Sequence, residues 1–121
     1  PPFARIKHFT VNFTITNLPY RPALGNPNSK NFIATKNTLT YLADHLFQKS
    51  SIGPTYIGCN GMSFRSNRDD TRVDATCSYR NESSGPTFSR VAVYHELSNM
   101  TNGITTLGPY RLNNQSLYVD G

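Results

Sequence analysis

The sequence predicts a single α+β domain in which two helices cover one face of a four-stranded antiparallel sheet. Three observations support this fold class: one strictly alternating strand, two apolar stripes with helical spacing, and two β-rich runs that flank a short polar stretch. At 121 residues the chain has the length of one domain. A chain of this size typically buries ~60–70% of its unfolded surface, which is enough for a hydrophobic core.

The first strand is predicted at residues 9–16, where apolar and polar side chains alternate. A period of two is typical of a strand with one buried face. The apolar residues are Phe9, Val11, Phe13 and Ile15. Residues 17–29 contain three prolines and a glycine and are predicted to form a loop.

Two helices are predicted from apolar residues spaced three and four apart. The stripe of the first helix, at about residues 31–47, consists of Leu39, Leu42, Ala43, Leu46 and Phe47. The second helix contains Val93, Leu97 and Met100. The dipeptide Asn102-Gly103 is a typical helix stop, so we expect Ile104 to pack just beyond the helix end.

The middle of the chain predicts a β-hairpin, because β-rich residues 55–65 and 71–80 flank the polar residues 66–70. In the first run, Cys59 stands at an odd position and Phe64 at an even one, so an unbroken strand would turn them to opposite faces. A bulge at Asn60-Gly61 would place both on one face. A last short strand is predicted at residues 116–119. The order is therefore β-α-β-β-α-β, which is that of a ferredoxin-like sandwich.

The two cysteines, Cys59 and Cys77, lie in the two arms of this hairpin. If they face each other, the turn is centred at residue 68, inside the polar stretch that was assigned on other grounds. Directly opposed cysteines on neighbouring strands can approach disulfide distance, and a disulfide implies an oxidising compartment. The alternative is a pair of buried free thiols.

The net charge of +5 raises the alternative of an RNA-recognition-type module, which has the same order of elements. The basic residues form no run, however, and the cluster of Arg65, Arg68 and Arg72 is interleaved with acidic residues. The predicted third strand lacks the Lys/Arg-Gly-Phe/Tyr signature of such modules, and its Asp74 would repel phosphate. We therefore expect no nucleic acid as partner.

No motif in the sequence indicates catalysis, a metal or a cofactor. The histidines and cysteines have no paired zinc-ligand spacing, and there is no nucleophile elbow, P-loop or dinucleotide fingerprint. Asp69-Asp70 falls at the predicted hairpin tip, where solvated turn residues are expected. The chain also lacks the ~18 consecutive apolar residues of a membrane span and a signal-peptide core. We expect an internal module of a longer chain, without direct membrane insertion.

Four asparagines stand in Asn-X-Ser/Thr sequons and are candidate N-glycosylation sites: Asn12, Asn81, Asn99 and Asn114. Four sequons are hardly more than chance predicts in a chain this rich in Asn, Ser and Thr. Their placement carries more weight, because Asn12 lies on the polar face of the first strand and Asn81 in a predicted loop.

Several segments closely resemble the SEA-domain repeats of membrane-tethered mucins, over nearly the whole chain from about Phe9 to Gly121. These segments are residues 12–18, 46–54, 73–77, 96–104 and 107–110. The resemblance implies a ferredoxin-like fold, a disulfide between Cys59 and Cys77, and a division into a linker from a preceding repeat (residues 1–8) and the SEA domain (residues 9–121). If the first and last strands pair antiparallel, both chain ends leave the sheet at one end, as suits tandem repeats.

The resemblance also implies a function. Such a chain would be a non-catalytic, monomeric module in the extracellular, sheddable part of a large glycosylated transmembrane mucin. That mucin would form a protective, lubricating mucosal barrier and support cell adhesion through its N-glycans. The implied partners are mesothelin and lectins such as galectins, bound through those glycans.

Several SEA domains cleave their own backbone at a Gly-Ser bond in the hairpin between the second and third strands. No Gly-Ser dipeptide occurs in this chain. The nearest hydroxyl residues, Ser66 and Thr71, follow Arg65 and Asp70, whose side chains restrict the backbone more than glycine would. The polar loop should also relax strain rather than store it. We therefore predict that the chain does not cleave itself.

Overall fold

A computed structural model describes residues 5–81 and 88–121 of the chain. In these residues the main sheet has four antiparallel strands, and two α-helices accompany it. The strands are β1 (Arg5–Ile15), β2 (Tyr56–Asn67), β3 (Asp70–Asn81) and β6 (Tyr118–Asp120). Their order in the sheet is β2-β3-β1-β6. The helices are α1 (Lys30–Gln48) and α2 (Arg90–Met100). The predicted fold class is confirmed.

Both helices pack on the same face of the sheet. The ring of Phe9 on β1 meets the ring of Phe47 on α1 edge-on, with 5.1 Å between ring centroids. Side chains of Val11 on β1, Leu39 on α1 and Leu97 on α2 line one apolar cavity of about 30 Å³. The alternating apolar residues of β1 are all buried, so this strand forms the centre of the core.

Each helix begins at a serine cap. Ser29 Oγ accepts a hydrogen bond from the Phe32 amide at 3.0 Å, which satisfies one of the free N–H groups of the first turn of α1. Ser89 Oγ does the same for the amide of Ala92 in α2, at 3.3 Å. After α2, residues 102–104 all have positive φ, and Ile104 is buried as predicted.

The hairpin of β2 and β3 confirms the predicted bulge. Cys59 pairs with Cys77, but Gly61 pairs with Thr76, so Asn60 is the extra residue. The predicted loop at residues 66–70 was too long. Asn67 pairs with Asp70, and only residues 68 and 69 form the turn, because the polar residues Ser66 and Asn67 continue the ladder of β2 instead of leaving it.

Three other boundaries differ from prediction. Strand β1 begins at Arg5 rather than residue 9, because residues 5–8 pair with residues 78–81 of β3. The last strand is Tyr118–Asp120 rather than residues 116–119. A small hairpin was missed: β4 (Thr106–Leu107) pairs with β5 (Tyr110–Arg111) around a turn at Gly108-Pro109.

The last strand runs toward the end of the sheet at which the described chain begins. Strand β1 runs antiparallel to β6, and Thr10 pairs with Asp120 near the end of the chain. The chain therefore leaves β6 in the direction from which it enters β1. This confirms the arrangement that was expected from antiparallel pairing of the first and last strands.

Candidate functional site: the disulfide hairpin and the open sheet face

A disulfide joins Cys59 on β2 to Cys77 on β3. Cys77 is completely buried in the core, whereas Cys59 is half-buried. Strand β2 lies at the edge of the sheet, so the bond fixes an edge strand to its inner neighbour. Neither cysteine is free, and the alternative of two buried thiols is therefore wrong.

A tyrosine adjoins this disulfide. Tyr56 Oη lies 2.5 Å from Asp44 Oδ1 on α1 and 3.1 Å from Cys59 Sγ. Burial of the phenol, and then its hydrogen bond to the Asp44 carboxylate and the charge there, raise the pKa of Tyr56 far above its ordinary value. The phenol stays protonated at physiological pH. It can donate a hydrogen bond that ties β2 to α1, but it cannot act as a base or nucleophile.

The other face of the sheet, which no helix covers, is polar. A row of register partners crosses all four strands of this open face: Ser63 on β2, Asp74 on β3, Asn12 on β1 and Tyr118 on β6. Most neighbouring positions on β1 and β3 carry threonine, serine, histidine or arginine, and Ile6 near the start of β1 is an exposed apolar residue of the same face. Because side chains alternate between faces, these residues point away from the face that the helices cover.

Asp74 is the centre of the charge network on this face. Its carboxylate lies 2.6 Å from the Arg65 guanidinium and 3.3 Å from that of Arg72, and its side chain is only 19% exposed. With its amide nitrogen turned toward β3, Asn12 donates to Asp74 Oδ1 at 2.9 Å. Two cations of the predicted basic cluster are thus paired with one acid, which weakens the attraction of this face for phosphate.

The geometry argues against the RNA-recognition alternative. Such modules stack bases on aromatic side chains of the open sheet face. In the described residues of β1 and β3, the aromatic side chains Phe9, Phe13 and Tyr79 all face the helices and are buried. The stacking platform that this chemistry requires is absent from these two strands.

The histidines lie on separate elements. His8 Nδ1 on β1 is 2.8 Å from Ser78 Oγ, His45 stacks on Tyr41 within α1, and His95 lies on α2. Within residues 5–81 and 88–121, no three His, Cys, Asp or Glu side chains converge as metal ligands would.

The candidate glycosylation sites are spread over the surface. Asn12 lies in the open sheet face and is half-buried, while Asn99 on α2 and Asn114 before β6 are exposed. Asn81 is exposed too, but it is the last residue of β3 rather than a loop residue, because it pairs with Arg5. The rest of its sequon lies outside the described residues. Occupancy of all four sites stays a prediction.

Both hydroxyl groups near the hairpin tip are engaged as donors. Ser66 Oγ donates to the Arg68 carbonyl at 3.1 Å, and Thr71 Oγ1, which is completely buried, donates to the Leu18 carbonyl at 2.7 Å. Neither hydroxyl is poised at a Gly-Ser bond. The expectation of a relaxed turn was only partly right, because Arg68 has a φ of 57°, a conformation that costs a side-chain-bearing residue about 1 kcal/mol.

Sequence reasoning missed two features of these surfaces. The contact between Tyr56 and Asp44 joins a strand to a helix, and no local pattern predicts such a pair. The position of Tyr118 on the open face was partly predictable from the sequence. Tyr118 has the opposite parity to Leu117 and Val119, which marks it as a residue of the open face.

In the part of the chain that the structure describes, no helix combines the length and hydrophobicity needed to span a bilayer. A comparison with known protein families gives a match to the SEA domain over residues 7–113, nearly the whole chain. SEA domains are extracellular, non-catalytic modules of mucin-like proteins.

Proposed function

We propose that this chain, which belongs to the SEA domain family, is a structural module of a large, glycosylated, membrane-tethered mucin of the mucin-16 type. In this role it is one repeat in a sheddable ectodomain that forms a protective, lubricating layer over a mucosal surface. It contributes stable folded mass and sites for N-glycans, and it catalyses no reaction.

The disulfide between Cys59 and Cys77 is the observation that carries this proposal. Disulfides persist in secreted and cell-surface proteins and are rare in the cytosol. The bond also holds the edge strand β2 to its inner neighbour β3.

Two further features support a module in an extended array. The chain leaves β6 in the direction from which it enters β1, so successive modules can project from a common backbone. Charged residues make up only 16% of the chain, and on the open sheet face the cations Arg65 and Arg72 are paired with Asp74. A surface with few unpaired charges holds water without attracting oppositely charged proteins.

Secretion from mammalian cells tests the proposal directly. The intact mass of the secreted chain would be measured before and after enzymatic removal of N-glycans, and again after reduction. We expect glycan mass on at least one sequon, and a gain of two hydrogen atoms that appears only on reduction. Secreted protein with two reactive thiols, or with no glycan at any sequon, would contradict the proposal.

We further propose that mesothelin and galectins bind this module through its N-glycans rather than through its protein surface. Three of the four sequon asparagines, Asn81, Asn99 and Asn114, are exposed and leave an attached glycan accessible. Binding of the glycosylated module would be compared with that of the same chain made in bacteria. Equal binding of the two forms would show that the partners recognise the protein surface instead.

A further inference from the structure

An open groove runs along the outer edge of the sheet, between helix α2 and strand β6. Its volume is about 300 Å³, which lies at the lower end of the range for small-molecule sites. Two large apolar side chains of this groove stand in water, Val91 at 59% exposure and Tyr118 at 51%. The residues that line the groove are Arg90, Val91, Tyr94, Leu117, Tyr118 and Val119.

One wall of the groove is the outer face of α2. Arg90 and Tyr94 are four residues apart, and Val91 and Tyr94 are three apart, so these side chains are neighbours on one helix face. The core residues of α2, Val93 and Leu97, are buried and do not line the groove. This wall therefore presents a guanidinium at the start of the helix, followed by an aliphatic and an aromatic surface.

The other wall consists of β6 and the residue before it. In the described residues β6 is an edge strand, with β1 as its one neighbour in the sheet. Leu117 is half-buried, Tyr118 is half-exposed, and Val119 is a buried core residue. Two tyrosines, one from each wall, therefore border the groove, and aliphatic side chains provide the rest of its apolar surface.

The groove carries one formal charge, which is positive. Arg90 is the single charged side chain among the six lining residues, and none of them is acidic. The two ion pairs found within residues 5–81 and 88–121 both belong to Asp74 and leave Arg90 out. Its guanidinium is therefore available to an anion from outside the chain. The planar fork of a guanidinium matches the two oxygens of a carboxylate.

We propose that this groove binds the terminal sialic acid of a glycan. Sialic acid is a pyranose that carries both a carboxylate and an N-acetyl group. The carboxylate pairs with Arg90, and the C–H groups of the sugar ring lie against a tyrosine ring, whose face carries negative potential. The N-acetyl methyl contacts the aliphatic side chains of the groove. These contacts also remove apolar surface of the sugar and of the protein from water.

Other anionic ligands fit this groove less well. A sulfated polysaccharide repeats its charges along the chain, whereas the groove offers one cation. A phosphate group could pair with that cation but would leave both tyrosine rings and the aliphatic side chains uncovered. A peptide with one apolar and one acidic side chain is the strongest competitor. It loses more conformational freedom on binding than a rigid sugar ring does.

The binding is a property of this module alone and does not require the proposed function. Its role in the array does rest on that function: the groove of one module would hold the sialylated glycan end of another. Because the groove is open and covers the sugar from one side, we expect a Kd on the order of 1 mM. Many such contacts in parallel would still link modules that are held close together.

The test uses the full chain made in bacteria with an isotope label, so that no glycan of its own can enter the groove. Backbone amide signals are followed by NMR during titration with sialyllactose. Three comparison ligands are its methyl ester, which removes the negative charge, lactose, which lacks the acidic sugar, and a blocked Leu-Asp dipeptide. Saturation transfer from the aromatic protons to the sugar gives a second readout.

Arg90→Gln and Tyr118→Thr are the test variants, and each has a matched control. Lys30→Gln removes an exposed cation from the first residue of α1, as Arg90→Gln does from the first residue of α2. Tyr41→Thr removes an exposed tyrosine from α1. All four residues are at least half-exposed, so the variants should keep the amide spectrum of the folded chain.

We expect sialyllactose to shift the amide signals of residues 90–94 and 117–119, and its N-acetyl and ring protons to receive saturation. Arg90→Gln should raise the Kd about fivefold, because a charge-assisted pair is lost in an open site. Tyr118→Thr should raise it about threefold through loss of the ring contact. The two control variants should bind like the parent chain, and the methyl ester and lactose should bind more weakly than sialyllactose.

Three results would overturn the proposal. The first is that lactose or the methyl ester shifts the same amides as strongly as sialyllactose does. The second is that Arg90→Gln binds sialyllactose as the parent chain does. The third is tighter binding of the dipeptide, which would identify an apolar, acidic peptide as the ligand class. None of these results concerns the disulfide or the sequons, so the proposed function would stand. A secreted chain without glycans would contradict the proposed function and leave the sialic acid site in place.

Discussion

Breaking the disulfide between Cys59 and Cys77 should weaken the fold without abolishing it. The two cysteines are 18 residues apart in the sequence. Closing a loop of this length removes about 3 kcal/mol of conformational freedom, expressed at 25 °C, from the unfolded chain in the chain-entropy model. Reduction returns that freedom to the unfolded state. The free energy of unfolding should therefore fall by about 3 kcal/mol.

The rest of the hairpin explains why the fold survives this loss. Phe64 and Val73 pair across β2 and β3 and are buried in the core, and the strands stay paired as far as Asn67 and Asp70. Domains of this size have a free energy of unfolding of about 5–15 kcal/mol. A domain anywhere in most of that range stays folded after losing about 3 kcal/mol. With an unfolding entropy of about 2.1 cal/mol/K per residue, a loss of 3 kcal/mol lowers the midpoint by about 12 °C.

Circular dichroism during heating, with and without a thiol reductant, measures this change. The double variant Cys59→Ala, Cys77→Val is the control, since it cannot form the bond and fills the buried site with a residue of similar volume. Its midpoint should be insensitive to reductant and close to that of the reduced parent. A decrease below about 3 °C in the fully reduced parent would refute the loop-entropy reasoning, and complete unfolding at 25 °C would refute the claim that the core suffices.

Four further outcomes are expected. Ala75→Val should fill the 30 Å³ apolar cavity and raise the free energy of unfolding in urea by about 0.7 kcal/mol; a loss of stability would mean that the cavity cannot accept the two added methyl groups. Because the pKa of Tyr56 is raised above 10.0, the unfolded chain loses this proton first as the pH rises. The stability of the parent relative to Tyr56→Phe should therefore fall above pH 10 by up to about 1.4 kcal/mol per pH unit, and a flat difference would contradict the assignment. Arg68→Gly should stabilise the hairpin turn by about 0.5 kcal/mol, because glycine accepts the positive φ that arginine adopts there; no change in the urea midpoint would exclude strain at this residue. Unglycosylated protein should remain one chain of 13.5 kDa for days at neutral pH, and fragments that arise without protease by cleavage within residues 65–72 would show self-cleavage.

The parts of the fold that the sequence predicted are those that pack against the core from one side. Strand β1 alternates because the helices cover one of its faces, and this alternation alone identified Phe9 and Val11 as core residues. The bulge at Asn60 was predicted because the apolar positions of β2 change parity there. A bulge is one of the few local features that reconciles such a change with one buried face.

The parts that were missed lack this one-sided pattern. Residues 5–8 extend β1 by pairing with β3, yet Ile6 is exposed and the segment carries no alternation that would predict a strand. The hairpin of β4 and β5 has two residues in each strand, too few to establish a period. Its Gly108-Pro109 turn was the available signal, since glycine before proline commonly marks a turn.

The open sheet face shows how strand register limits what a sequence can reveal. The sequon at Asn12 is visible in the sequence, but its relation to Tyr118 depends on how β6 pairs with β1. A slip of one residue would turn Tyr118 toward the helices and Val119 toward solvent. Burial of Val119 in the core therefore fixes the position of the exposed ring.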